Sequence, residues 1–161
     1  ASRNAAADAA QGEILIFCDA DFCLSGHLVE RCVDALESGY ACAVPRVLFY
    51  DSHLWNFLSW GPRQVQGVLW PQLTAGIVAV WREAYEEIGG YDINCNPMDM
   101  GNQCREDRDF GERIAVRYGP NVIKGLPELA TTSARRIKTY GLLAVQTFDE
   151  TPRHYLDAGR M

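Results

Sequence analysis

The chain has 161 residues, enough for one domain with its own core. Hydrophobic residues at 48% and charged residues at 22% exclude an extended disordered chain, and 14 glycines with 7 prolines exclude a collagen-like or low-complexity one. A net charge of −6 gives no global attraction to phosphate backbones, which argues against nucleic acid as a partner.

Residues 1–11 are small and alanine-rich, with no apolar signal-peptide core. The chain opens on Ala1 rather than a methionine, as a processed or truncated piece would. No apolar run reaches the roughly 20 residues that a membrane helix needs. Residues 5–10 read as the end of a helix stopped by Gly12. The unbroken run Ile14-Leu15-Ile16-Phe17-Cys18 reads as a strand covered on both faces, with the Cys18 thiol buried in it. It ends in Asp19-Ala20-Asp21. Ser25 is placed to cap a helix whose Leu28, Cys32, Ala35 and Leu36 share one face, and Gly39 closes it. Two short strands are expected next, over residues 41–44 and 46–50.

Residues 51–71 are irregular and hold Trp55, Trp60 and Trp70, either packed over the core or serving as a lid against a sugar or lipid face. Residues 73–81 read as a strand and 82–88 as a short helix closed by Gly89-Gly90. A polar loop over residues 94–104 follows. Glu106-Asp107 opens a helix with Phe110, Ile114 and Tyr118 on one stripe, and Gly119 ends it. Residues 122–132 are extended, interrupted by Gly125 and Pro127, and Ser133 caps a last helix reaching about residue 147. Strands alternate with helices, which predicts an α/β layered domain with a mixed sheet.

The six cysteines include no Cys-x-x-Cys pair, so zinc knuckles and thioredoxin-type motifs are absent. Reduced thiols and a cytoplasmic location are the expectation, with peripheral membrane association left open. A Cys95–Cys104 disulfide across the polar loop is the alternative for those two.

Two carboxylates at i and i+2 past a strand end, Asp19 and Asp21, sit where open α/β sheets bind ligands. With substrate phosphate oxygens they suit Mg²⁺ or Mn²⁺, although aspartates are also ordinary turn residues. Glu106 and Asp107 suit a helix N-terminus for dipole reasons alone. As a general base, Asp107 would be weakened by that dipole unless burial offsets it. The run Thr131-Thr132-Ser133-Ala134-Arg135-Arg136 joins a helix start to two guanidiniums, which suits a phosphate or an ordinary cap. His27, His53 and His154 form no zinc-hydrolase pair, and no nucleophile elbow, phosphate-binding loop or dinucleotide fingerprint occurs.

In order, these pieces resemble a family 2 glycosyltransferase of the GT-A fold. Arg3-Asn4 followed by the run from Ala9 to Asp21 resembles that family's approach to its Asp-x-Asp motif. Thr74-Ala75-Gly76, Arg82 and Gly89-Gly90-Tyr91-Asp92 resemble its central strand and "GGFD" turn. Glu106-Asp107-Arg108-Asp109 resembles its "ED" motif, and Thr132-Ser133-Ala134-Arg135-Arg136 a segment further downstream.

The resemblance implies a single domain over residues 1–161, the C-terminal portion of a catalytic domain. It implies an inverting transfer of a sugar from a nucleoside-diphosphate sugar to an acceptor hydroxyl, assisted by Mg²⁺ or Mn²⁺. Asp21 would hold the metal, with Asp19 at the metal or the ribose. Asp107 would be the general base with Glu106 beside it. Gly76, Arg135 and Arg136 would contact substrate. The family's opening strands, which carry the base contacts, are not in this sequence. The strand at residues 14–18 is therefore expected as an apolar edge, open to a homodimer or covered by a rearranged sheet. Two other functions stay open. One is a non-catalytic remnant kept for packing or binding. The other is an Asp-x-Asp phosphatase with Asp19 as nucleophile, against which stand Cys23 after the motif and the lack of a later Gly-Asp-x-x-x-Asp.

Overall fold

The apolar run after Gly12 forms an edge strand of a five-stranded mixed sheet flanked by helices, in a computed structural model that describes residues 2–54, 76–95, 106–119 and 121–140. The elements are α1 (Ser2–Ala9), β1 (Ile14–Cys18), β2 (Cys23–Leu24), α2 (Leu28–Glu37), β3 (Cys42–Phe49), β4 (Ile77–Trp81), α3 (Arg82–Glu87), α4 (Glu106–Tyr118), β5 (Ile123–Thr132) and α5 (Arg135–Tyr140). The strand order is β1-β4-β3-β5-β2. Among the described residues only β3 and β5 run parallel; the other three pairings are antiparallel. This is the mixed α/β architecture expected of a partial GT-A fold.

Both faces of the sheet are covered, and that explains the continuous apolar strands. On β4, Val78 and Val80 join Leu15, Phe17, Phe110 and Ile114 on one side. Ile77 and Ala79 join Leu28, Cys32 and Leu36 of α2 on the other. β1 splits the same way, with Leu15 and Phe17 buried while Ile14 and Ile16 pack against the α2 side. The stripe Leu28, Cys32, Ala35 and Leu36 is buried as its spacing predicts. α2 ends as Gly39, at φ 98°, donates its N–H to Leu36 O (3.0 Å) and Tyr40 donates to Ala35 O (3.4 Å).

Four local expectations are corrected. Cys18 is exposed, because it is the last residue of an edge strand and its thiol turns toward the Asp19 carbonyl (3.4 Å). Ser25 does not cap α2 through its side chain. His27 stands at the cap position, and Ser25 supplies a carbonyl to the Leu28 N–H (3.1 Å) instead. The two strands expected over residues 41–50 are one, β3, with a register shift. Pro45 pairs with Leu126 and Arg46 with Leu129, so Pro127 and Glu128 are skipped. Prolines on both strands lack the N–H that a continuous ladder needs there. Finally, Cys95 is disulfide-bonded rather than a free thiol. Cys104, the partner in the alternative pairing, lies outside the described residues, as do the tryptophan-rich segment, most of the polar loop and the end of the last helix.

Candidate active site

Sheet register assembles the site. β1 and β4 pair with Cys18 opposite Ile77, so the next pair outward is Asp19 with Gly76. The Asp19 N–H donates to Gly76 O at 2.8 Å, extending the ladder by one step. A Cβ on Gly76 would stand 2.0 Å from Asp19 Oδ2 and 2.6 Å from its Cγ. Only glycine leaves that carboxylate its place. The chain then turns, with the Phe22 N–H on Asp19 O (3.3 Å), and this turn leaves Asp21 exposed.

The same register brings further residues to this end of the sheet. β3 is antiparallel to β4 and parallel to β5, so the carboxyl ends of β1, β3 and β5 all point the way Asp19 does. Open α/β sheets bind ligands at such ends. Asp107 reaches the cluster from α4. It lies three residues before Phe110, hence on the face that packs inward.

One guanidinium ties these groups together. Arg3 on α1 places Nη2 2.9 Å from Asp19 Oδ1 and Nη1 2.5 Å from Asp107 Oδ1, with Glu106 Oε1 at 3.8 Å. Its plane lies over the Tyr91 ring at 5.0 Å. Its helix is pinned on both sides. Asn4 donates Nδ2 to Tyr91 O (2.8 Å), and its Oδ1 accepts from the Tyr91 N–H (3.0 Å) and from Tyr85 Oη (2.7 Å). Arg82 donates to three carbonyls past the middle of α1, those of Ala7, Ala10 and Gly12. The turn carrying Tyr91 is fixed in its turn by Arg113, whose Nη1 donates to Ile88 O and Gly90 O at 2.7 Å each. Gly90 is at φ 69°, and a Cβ there would meet Tyr85 Oη at 2.7 Å.

Burial sets the electrostatics. It pushes the Asp107 carboxyl above its ordinary range; Arg3 opposes this, while Asp19 and Glu106 reinforce it. Burial is thus the first cause acting on this base, the condition under which a carboxylate at a helix start keeps its basicity. Burial also works against the Arg3 charge, but Asp107 and Asp19 outweigh it and hold the guanidinium above its usual range. The Tyr91 phenol is raised by burial and by Asp107.

The segment Thr131–Arg136 also lies at this end of the sheet, and its local chemistry is occupied from within. Asp51 accepts the Ala134 N–H (2.7 Å), Ser133 Oγ (2.9 Å) and Lys138 Nζ (3.0 Å). These bonds, the backbone one foremost, lower its carboxyl to about 2. Ser133 Oγ accepts the Arg135 N–H (3.1 Å), and the Arg135 side chain is exposed. Arg136 lies in the first turn of α5.

Asp19 and Asp21 together fit a Mg²⁺ or Mn²⁺ that takes one or two carboxylates and completes its shell with phosphate oxygens and water. The Asp19 side chain is 48% exposed, and Asp21 makes no ion pair among the described residues. They do not fit a closed structural metal site, since no group of three such ligands gathers among the described residues.

Asp19, Gly76, Glu106 and Asp107 thus come together, Asp21 follows Asp19 by two residues in the exposed turn, and Arg135 and Arg136 follow the carboxyl end of β5. Arg3 and Tyr91 had no role assigned from sequence. The available signal was an Arg-Asn pair on an otherwise alanine-rich helix. An open groove lined by Glu13, Trp81, Arg82, Glu83, Glu86 and Glu87 lies at the opposite end of β1 and β4 and takes no part.

No curated protein matches the chain. The family model described as glycosyl transferase family 2 matches residues 1–86, from α1 into α3, a span that includes Arg3, Asp19, Asp21 and Gly76. That match covers just over half of the sequence, and on it the chain belongs to glycosyl transferase family 2.

Proposed function

We propose that the chain is the C-terminal portion of an inverting glycosyltransferase catalytic domain, moving a sugar from a nucleoside-diphosphate sugar to an acceptor hydroxyl. The observation that carries this reading is the pairing of Asp19 and Asp107 on the single Arg3 guanidinium. It draws carboxylates from a strand end and a helix start into one site.

In this reading Asp107 takes the acceptor's proton, and burial makes it a stronger base than an exposed aspartate. The acceptor oxygen attacks the anomeric carbon from the face opposite the diphosphate. The new glycosidic bond forms as the bond to the diphosphate oxygen breaks, so the configuration inverts. The electron pair leaves with the nucleoside diphosphate. Glu106 adds negative charge beside the base. Gly76 keeps the floor between Asp19 and the sheet free of side chain. Asp19 and Asp21 would hold Mg²⁺ or Mn²⁺, which when bound neutralises charge on the diphosphate. Arg135 and Arg136 contribute positive charge on the substrate side.

The same ion pairs also suit a second reading. Arg3 already satisfies Asp19 and Asp107 without a ligand, as a fold kept for packing would require. Thermal unfolding with UDP- and GDP-sugars and Mn²⁺ separates the two. At 100 times its dissociation constant, a bound donor adds about 2.7 kcal/mol, a melting shift of several degrees. The transferase reading expects this shift with at least one donor and its loss in Asp21→Asn. No shift with any donor at millimolar concentration would leave the packing reading.

A further inference from the structure

We infer that Arg3 is an exchangeable counter-ion: it occupies Asp19 until a divalent cation and a diphosphate arrive together, and holds Asp107 throughout. This rests on the functional reading above and adds to it a coupling between the two ligands.

The two arms of the guanidinium are distinct. Nη1 is on Asp107, whose side chain is 27% exposed, and Nη2 is on Asp19, at 48%. The Asp19 arm is therefore the one that solvent and ligands reach. The Asp19 oxygens are in different settings. Oδ1 accepts from Arg3, and Oδ2 lies against Gly76, within the volume a Cβ would fill. A cation reaching Asp19 alone meets the Arg3 charge on Oδ1 and competes with it. The released Nη2 arm would lose its carboxylate, while Nη1 stays on Asp107 with Glu106 3.8 Å away. A diphosphate changes that balance, because its oxygens accept the released N–H groups in charge-assisted hydrogen bonds. Each ligand then removes the penalty on the other, and by linkage the enhancement is the same in both directions. Arg3 can exchange one partner without losing the other. Its plane is supported by Tyr91 at 5.0 Å, and its helix is fixed by Arg82 and Asn4. Arg3 is thus a positioning residue for Asp107.

The test is Mn²⁺ binding to the full chain, followed by water-proton relaxation, with and without inorganic pyrophosphate and corrected for Mn²⁺–pyrophosphate in solution. For the unaltered chain, Mn²⁺ alone binds weakly and pyrophosphate tightens it by about tenfold, within the usual range of coupling. Arg3→Gln binds Mn²⁺ alone about tenfold tighter than the unaltered chain, and the gain from pyrophosphate falls below about twofold. Unchanged or weaker Mn²⁺ binding in Arg3→Gln, with the pyrophosphate gain intact, overturns the inference and leaves the transferase reading standing. No Mn²⁺ binding by any form, even with pyrophosphate, removes the transferase reading and the inference with it. Should Arg3→Gln fail to melt cooperatively, Arg3→Lys carries the test. An ammonium cannot hold both carboxylates as a planar fork does, so its pyrophosphate gain must fall below that of the unaltered chain; an equal gain overturns the inference.

Discussion

Asp107→Asn is expected to cut sugar transfer by about 1,000-fold, within the range for removing a general base, while leaving the fold as stable as before or more so. The two halves of this result have one cause. Burial raises the Asp107 carboxyl in the folded chain despite Arg3. The folded state therefore holds that proton more tightly than the unfolded one. Its contribution to stability is present below the ordinary carboxylate range and lost as pH rises through the raised folded value. At neutral pH the ionised group costs stability, and asparagine removes that cost. Arg3 is not stranded by the change, because Asp19 remains at 2.9 Å and Glu106 at 3.8 Å. The same shift sets the pH dependence of transfer: the acid limb should fall above the ordinary aspartate range and disappear in the variant. Steady-state transfer assays and thermal unfolding check both halves. Retention of more than a tenth of the activity would remove Asp107 as the base. A melting temperature lower by several degrees would show that the Arg3 pair outweighs burial.

Phe110→Ala is expected to cost about 3–5 kcal/mol, the range for deleting a fully buried aromatic, and to lower the melting temperature by roughly 10 °C or more. Phe110 is 0% exposed and stacks on Tyr91 at 4.5 Å between centroids, with Tyr85 at 5.9 Å. Phe17 closes the group, 5.4 Å from Tyr85 and 5.3 Å from Tyr91. This aromatic layer is the floor on which Arg3 rests, so the loss reaches the site as well as the core. Phe110→Leu keeps most of the volume and should cost less than half as much. Denaturant midpoints measure both. A loss below about 1 kcal/mol for the alanine variant would mean that the layer rearranges to fill the void.

What the sequence made legible was local. The stripe Leu28, Cys32, Ala35 and Leu36 declares its buried face through helical spacing, and Gly39 declares the stop. The run at residues 14–18 declares a strand packed on both sides. The acid pairs Asp19/Asp21 and Glu106/Asp107 stand out by residue type and by position at element ends. The hidden part was pairing at a distance. That Asp19 faces Gly76 follows from an antiparallel register between β1 and a strand beginning at Ile77, which no spacing within either segment encodes. Arg3 was harder still. Its two partners are 16 and 104 residues away, and an arginine on a short alanine-rich helix looks like an ordinary surface charge. The two strands expected over residues 41–44 and 46–50 leave Pro45 between them as a gap. It is instead a position where the neighbouring strand also carries a proline and the ladder slips by two residues.

The central claim is that Asp19, Asp21 and Asp107 border one ligand site. NMR of isotopically labelled chain during a titration with Mn²⁺ and a nucleoside diphosphate tests this most directly, since the ion broadens signals by proximity. Broadening should begin at the amides of Asp19, Asp21 and Gly76 and extend to the side chains of Arg3 and Asp107, before any effect at Glu83, Glu86 or Glu87 in the acidic groove at the other end of β4. Broadening that starts in that groove and leaves Asp19 and Asp107 sharp would contradict the account.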